Sequence, residues 1–280
     1  MAPARLRRVK RRQASASNAL TLHSSQKGWH EKTHGGFGPA HGRGMIPAMS
    51  TAHPRLRKPP LIEAVFELRF STETAYGLIP GRMFDELREV FPQVEELPTA
   101  TLPLDVPFPA LVRHRFRSGD GSKLLQTGHE VVSVNHLAYS QYNDLRGDAE
   151  RVIEVLIKLA LVKKVRRVGL RYINRLTLDR PWSSVTTLTD KVPEAISSRI
   201  RNRRFHYNLE YQPDRMNMAL ANVTGDGAEK LQVDLDFFRE EADVPQMQTH
   251  AILEWLDIAH ERVYEAFMSL LTVEYLREIE

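Results

Sequence analysis

The sequence predicts an α+β protein of antiparallel sheets, preceded by a disordered basic segment. Three observations carry this. Apolar residues recur at every second position in LIEAVFELRF (61–70) and, interrupted at Asn174, along VRRVGLRYINRLTL (165–178), the period of strands with one face on a core. Apolar stripes at helical spacing run through DAERVIEVLIKLALV (148–162) and residues 248–278, the mark of amphipathic helices. These elements recur in one order: strand, short helix, three antiparallel strands, longer helix. The order divides the chain into two β-α-β(3)-α halves, 45–161 and 162–280, each expected to be an antiparallel sheet packed by its longer helix.

In the first strand Ile62, Ala64, Phe66, Leu68 and Phe70 face one way, and Glu63, Glu67 and Arg69 the other. Pro59 and Pro60 mark its start. PGRMFDELREVFP (80–92) reads as a short helix with Phe84, Leu87 and Phe91 on one face. The Pro-rich LPTATLPLDVPFPA (97–110) is expected to be extended. Three strands follow, LVRHRFR, KLLQTG and EVVSVNHL, the first two joined by the Asp-Gly turn of SGDG. In the helix after them Val152, Val155, Leu156 and Leu159 face inward.

The second half opens on the long strand at 165–178. Val168, Leu170, Tyr172, Leu176 and Leu178 share one face, and Arg167, Arg171, Arg175 and Thr177 the other. Pro181 and Trp182 end it, and TDKVPEAISSRI (189–200) reads as a short helix capped by Thr189 or Asp190. RFHYNLEYQ, MNMALANVT and KLQVDLDFF are the three strands. The last helix carries Ile252, Leu256, Ala259, Val263, Phe267 and Leu270 as its buried stripe. The repeated order raises an internal duplication, although the SGDG and TGDG turns do not sit at equivalent hairpins. Helix-grip, saddle-like and SecB-type sheets share this outline.

The chain has 280 residues, 42% hydrophobic and 26% charged, with no cysteine, so disulfides, thiolate metal sites and a cysteine nucleophile are excluded. No run is long and apolar enough for a membrane helix. The basic charge is confined to one segment. Residues 1–44 hold nine Lys/Arg and one acid, Glu31, whereas residues 45–280 hold 30 basic and 34 acidic side chains. A nucleic-acid role would therefore rest on the segment 1–44 and its phosphate contacts. That segment also reads as a targeting peptide, or as sequence upstream of a later start at Met45 or Met49. His30, His34 and His41 lie in it without a carboxylate cluster to complete a metal site.

There is no GxGxxG, P-loop, HExxH or GxSxG. Candidate ligand-binding residues are Glu63, Glu67, Arg69, Arg171, Asn174 and Arg175. Glu63 and Glu67 lie about 13 Å apart along a strand, too far for one ion. Asp234 and Asp236 lie roughly 7 Å apart on one face. They are a candidate metal pair, or partners for Arg171 and Arg175 on a neighbouring strand. Asn174 interrupts an apolar face, either tying a loop to the sheet or lining a cavity. His260 flanks the stripe of the last helix, as a core histidine or a catalytic one.

PPLIEAVFELRF, GLRYINRL, VDLDFF and AHERVYEAFMSLLT together resemble an uncharacterised, sporadically distributed family of bacterial and archaeal proteins. The likeness runs from about Pro59 to Thr272 and leaves out residues 1–44. It implies a fold shared with that family and a bacterial, cytoplasmic setting, and no catalytic residues.

The leading expectation is a non-enzymatic binding protein without a cofactor. It would hold a protein, peptide or small ligand, and homo-oligomers are compatible with it. A narrower version is a SecB-like chaperone or antitoxin-type client binder, on fold analogy. The alternatives are a metal-dependent enzyme using the strand carboxylates, and nucleic-acid binding through residues 1–44.

Overall fold

A computed structural model describes residues 56–57, 59–104, 111–188, 192–193, 195, 199–200, 202–225, 227–240 and 243–279. The basic segment and its two candidate start methionines lie outside the described residues, as does most of the helix expected at 189–200.

Nine strands form a single sheet, all neighbours antiparallel. They are β1 (Leu61–Ser71), β2 (Gln93–Glu96), β3 (Val112–Arg117), β4 (Lys123–Gly128), β5 (Val131–His136), β6 (Lys164–Thr177), β7 (Arg204–Tyr211), β8 (Asp214–Gly225) and β9 (Ala228–Glu240). Across the sheet the order is β2-β3-β4-β5-β1-β6-β9-β8-β7. The expectation of one sheet per half is thereby corrected. Within its own half each opening strand, β1 or β6, would be a sheet edge. The two instead pair with each other from Leu61↔Asn174 to Ser71↔Lys164, satisfying backbone groups that separate sheets would leave unpaired.

Among the described residues the α-helices with full bounds are α1 (Ile79–Leu87), α2 (Tyr142–Lys158), α3 (Thr249–Leu270) and α4 (Val273–Ile279). No described helix is long and apolar enough to cross a membrane. Helix α2 packs on β5 and β1, α3 packs on β6 and β9, and the two touch each other. Beneath them lie Ala64, Phe66, Leu68 and Phe70 of β1, Val168 and Leu170 of β6, and Leu231, Val233, Leu235 and Phe237 of β9. Burying one such Leu or Phe side chain is worth about 1.5–3 kcal/mol. The core is thus a single layer between helices and sheet, and the sheet's other face carries no described helix.

Several boundaries differ from the periodicity. Helix α1 takes Pro80 into its first turn and buries Ile79, Met83 and Leu87; a proline is tolerated there because that N–H has no helical partner. The stretch expected to be wholly extended after it turns through a 3-10 segment, Pro98–Thr101, behind the edge strand β2. The closing helix breaks at Leu271, whose backbone is extended and bridges to Thr186. Thr272 then restarts it, its Oγ1 accepting the Tyr275 N–H at 3.2 Å. Helix α2 begins six residues before the expected Asp148. It ends with Ala160 at φ 48°, the Leu161 N–H donating to the Leu156 carbonyl (3.1 Å) and the Ala160 N–H to that of Ile157 (3.0 Å). This closure ordinarily uses glycine.

Candidate functional site

The face without a described helix is where the charged halves of the alternating strands meet. Pairing of β1 with β6 sets Val65 opposite Arg171, Glu67 opposite Gly169 and Arg69 opposite Arg167. Pairing of β6 with β9 sets Arg167 opposite Glu240, Gly169 opposite Phe238 and Arg171 opposite Asp236. Three neighbouring strands therefore point acids and arginines at one area.

Arg167 is its centre, with a side chain only 8% exposed. It donates to Glu67 at 2.6 Å and to both oxygens of Asp236 at 2.8 and 2.9 Å. Its Nε lies 3.4 Å from Glu240, and its guanidinium carbon lies 4.7 Å from the Phe238 ring centre. Glu67 also accepts from Arg69 Nε at 2.8 Å. Arg171 reaches diagonally to Asp234, with its Nε 2.7 Å from one oxygen and an Nη 2.5 Å from the other. These bonds hold the Arg171 guanidinium above its ordinary pKa, against the opposing effect of burial. Bidentate pairs of this kind fix geometry as well as charge.

Gly169 makes the arrangement possible. A Cβ there would stand 2.4 Å from Arg167 Nη1, so only glycine lets the guanidinium lie flat over the strand. The result is a shallow depression lined by Val65, Glu67, Arg69, Arg167, Gly169, Arg171 and Asp236.

Glu63, Glu67, Arg69, Arg171, Asp234 and Asp236 all lie on this face. Glu63 stands to one side, accepting from Asn135 Nδ2 at 2.7 Å. Arg175 is exposed on the same face opposite Gln232. Of the two ion pairs expected for the aspartates, Arg171 takes Asp234, while Asp236 pairs with Arg167 rather than Arg175. Among the described residues no group of three or more His, Asp or Glu side chains is placed to hold a metal. Asn174 lies on the opposite, helix-covered face, 4% exposed, and its Nδ2 makes no hydrogen bond among the described residues.

Arg167 and Gly169 were not singled out from the sequence as site residues. The available signal was a glycine inside a long strand, two residues from an arginine on the same face.

On the helix side, His260 belongs to a polar tie between the halves. Tyr172 Oη lies 2.8 Å from His260 Nδ1, and Tyr142 of α2 stacks on the imidazole at 4.0 Å between ring centres. Tyr142 and Arg146 both donate to Asp257 of α3, at 2.6 and 2.8 Å. Burial pushes the neighbouring Tyr139 hydroxyl up to about 12 and raises that of Tyr172 as well, so these phenols stay neutral. The geometry joins α2 to α3 over β6. Against known proteins, the chain matches no family model and no curated protein.

Proposed function

We propose that this is a non-enzymatic binding protein that holds a folded protein partner on the face of its sheet without a described helix. One observation carries the reading: the charged residues of the two most distinctive sequence blocks, around Glu67 and around Arg171, converge on a face that no described helix covers. The five strands running across the sheet from β1 to β7 at ~4.8 Å spacing make it about 19 Å across and about 40 Å along the strands; beyond them Val131, Ser133 and Asn135 of β5 are buried on this face. A standard protein interface needs about 800 Å² per partner, which a surface of this extent supplies. The depression over Gly169 is shallow, whereas small-molecule sites enclose most of their ligand. The face presents fixed, paired charges rather than an apolar groove, which favours a partner of complementary mixed charge over an extended apolar client. Asp234 and Asp236 are each gripped by an arginine, so the carboxylate-enzyme reading gains no support from their geometry.

The test is affinity capture of the full chain, tagged at its C-terminus, from its own host. Wild type is compared with Arg69→Glu/Arg171→Glu on the open face and with Lys158→Glu on helix α2. A stoichiometric protein retained by wild type and Lys158→Glu, and lost by the double variant, is the expected result. Retention by the double variant, or no partner on wild type, overturns the proposal.

We also propose that the two halves descend from one duplicated unit. Read outward from the β1–β6 pair, the sheet runs β5-β4-β3-β2 on one side and β9-β8-β7 on the other, so the two sides correspond except for the short edge strand β2. Helices α2 and α3 bury the same positions counted from their first residues: Leu145 with Ile252, Ala149 with Leu256, Val152 with Ala259, and Leu156 with Val263. The seventh residue of each pins its helix to the sheet. Asp148 lies 2.6 Å from Lys123 Nζ at the start of β4 and 3.0 Å from His136 Nε2 at the end of β5. Trp255 donates at 2.9 Å to Asp214 at the start of β8, and Asp214 accepts two bonds from Arg239 near the end of β9. The acid sits on the helix in one half and on the strand in the other, at corresponding positions.

A further inference from the structure

The two edges of the sheet are unlike. Strand β2 is four residues long, QVEE, with every residue exposed; short acidic edges of this kind resist further pairing. Strand β7 is eight residues long and pairs with β8 without a register shift from Arg204↔Ala221 to Tyr211↔Asp214. Among the described residues it has no neighbour on its other side. It contains no proline, lysine or bulge, the devices that usually blunt an edge.

The direction of its peptide groups follows from one bond. The Asn222 N–H donates to the Arg203 carbonyl at 3.2 Å, one step beyond the Arg204↔Ala221 pair. In an antiparallel ladder the residues facing a partner alternate. Residues 205, 207, 209 and 211 therefore turn their backbone groups to β8, and 204, 206, 208 and 210 turn theirs outward.

We propose that β7 pairs antiparallel with β7 of a second copy, about a two-fold axis at Tyr207. In this register Arg204 stands opposite Glu210, His206 opposite Asn208, Phe205 opposite Leu209, and Tyr207 opposite itself. All four outward-facing residues then find hydrogen-bonding partners. A slip of one residue along the strand would set outward groups against inward ones. A shift of the axis to His206 or Asn208 pairs fewer residues and parts Arg204 from Glu210.

The side chains agree with the backbone. On the open face Arg204 and Glu210 are exposed and lie about 20 Å apart along the strand, too far to pair within one chain. Arg215, opposite Glu210 on β8, donates instead to Glu240 at 3.2 Å. On the helix side Phe205 packs on Trp182 and stacks with Tyr207, at 5.4 and 6.5 Å between ring centres. Tyr207 is 39% exposed, so this aromatic row runs to the edge and stops there. A two-fold axis normal to the sheet joins two nine-stranded sheets into one with all helices on the same side, an isologous contact in which both copies use the same surface.

Sedimentation velocity of the full chain, from about 1 to 100 μM, reads the assembly directly. Wild type is expected to be dimeric. Arg204→Glu and Glu210→Arg should each raise the dimer dissociation constant at least roughly tenfold, since two cross-strand attractions become repulsions. The double reversal should return it to within about threefold, which loss of fold does not do. Asn208→Pro removes an outward N–H and leaves the β8 ladder intact, so it should be folded and monomeric. A monomeric wild type at about 100 μM, a double reversal no tighter than the single variants, or a folded Asn208→Pro dimer of unchanged affinity overturns the proposal.

Discussion

Replacing Arg167 with methionine tests whether the cluster on the open face is structural or merely a solvated set of surface charges. The substitution keeps most of the apolar stem and removes the guanidinium. Its partners do not suffer equally. Glu67 retains Arg69 at 2.8 Å, and Glu240 retains Arg215 at 3.2 Å. Asp236 loses both of its bonds and is left 23% exposed. The cost is therefore dominated by one carboxylate, about 1.5–3 kcal/mol for bonds to a charged group, with about 0.5–2 kcal/mol more for the lost contact over Phe238. The full 3–5 kcal/mol of breaking a buried pair is an upper bound here, because the partners are only partly buried. We expect about 3 kcal/mol in urea unfolding at neutral pH, or a fall in Tm of about 6–12 °C.

Gly169→Ala provides the decisive comparison. In the wild-type background the new Cβ meets Arg167 Nη1 and must displace the guanidinium, costing about 1–3 kcal/mol. In the Arg167→Met background the obstruction is gone. Alanine should then be neutral or stabilising by up to about 1 kcal/mol, because it restricts the unfolded chain. The double-mutant cycle should thus show a change of sign at position 169. A loss below about 1 kcal/mol for Arg167→Met, or a Gly169→Ala effect that is the same in both backgrounds, refutes the reasoning.

Two further outcomes are expected. Ala160→Gly should stabilise the protein by about 0.5–1 kcal/mol in chemical denaturation, since Ala160 sits at φ 48° where a Cβ is strained; destabilisation would contradict the left-handed closure of α2. Asp148→Asn should cost about 2–3 kcal/mol at pH 7. Burial acts to raise the Asp148 pKa, but its bonds with His136 and Lys123 outweigh this and hold it below the ordinary carboxylate value. A depressed folded-state pKa adds stability that is complete above the unfolded value of about 3.9 and is lost as pH falls through the lower folded one. The gap between wild type and Asp148→Asn, read by urea unfolding, should therefore narrow as pH falls below about 4. A gap that does not narrow would show that the charge of Asp148 is not what the site uses.

The alternation of β1, β6 and β9 was legible because each strand has one face on the core and one facing away, so the period survives in the residues themselves. The same periodicity located the charges of the open face. It could not say that β1 and β6 join, because pairing between halves is set by which strand edges remain unsatisfied, a property of the assembled sheet. Nor could it place Arg167 at the centre. Spacing along β6 makes Arg167, Arg171 and Arg175 equivalent, and the register with β9 and the gap at Gly169 separate them. Asn174 was legible as a polar residue in an apolar row, and it lies on the helix-covered face that such a row implies. The break at Leu271 was hidden because a helical stripe continues in register through it, and the extended residue is selected by its bridge to Thr186.

The centre and the edge of the sheet use charge in opposite ways. Around Arg167 the acids and arginines of three strands satisfy one another within the chain, and apolar residues of similar volume would often serve stability as well or better. What such a cluster adds is a fixed pattern of charge on a face that no described helix covers, held before any partner arrives, so that little ordering remains to be done on binding. At β7 the matching residues, Arg204 and Glu210, stand at opposite ends of one strand and cannot meet without another copy of it. Self-pairing there would leave the central cluster uncovered and set two such faces side by side. A partner with a repeated or two-fold surface would then engage both at once, with the second contact made at the high effective concentration of the first. Disrupting β7 pairing should in that case weaken capture of the partner although no residue of the Arg167 cluster has changed.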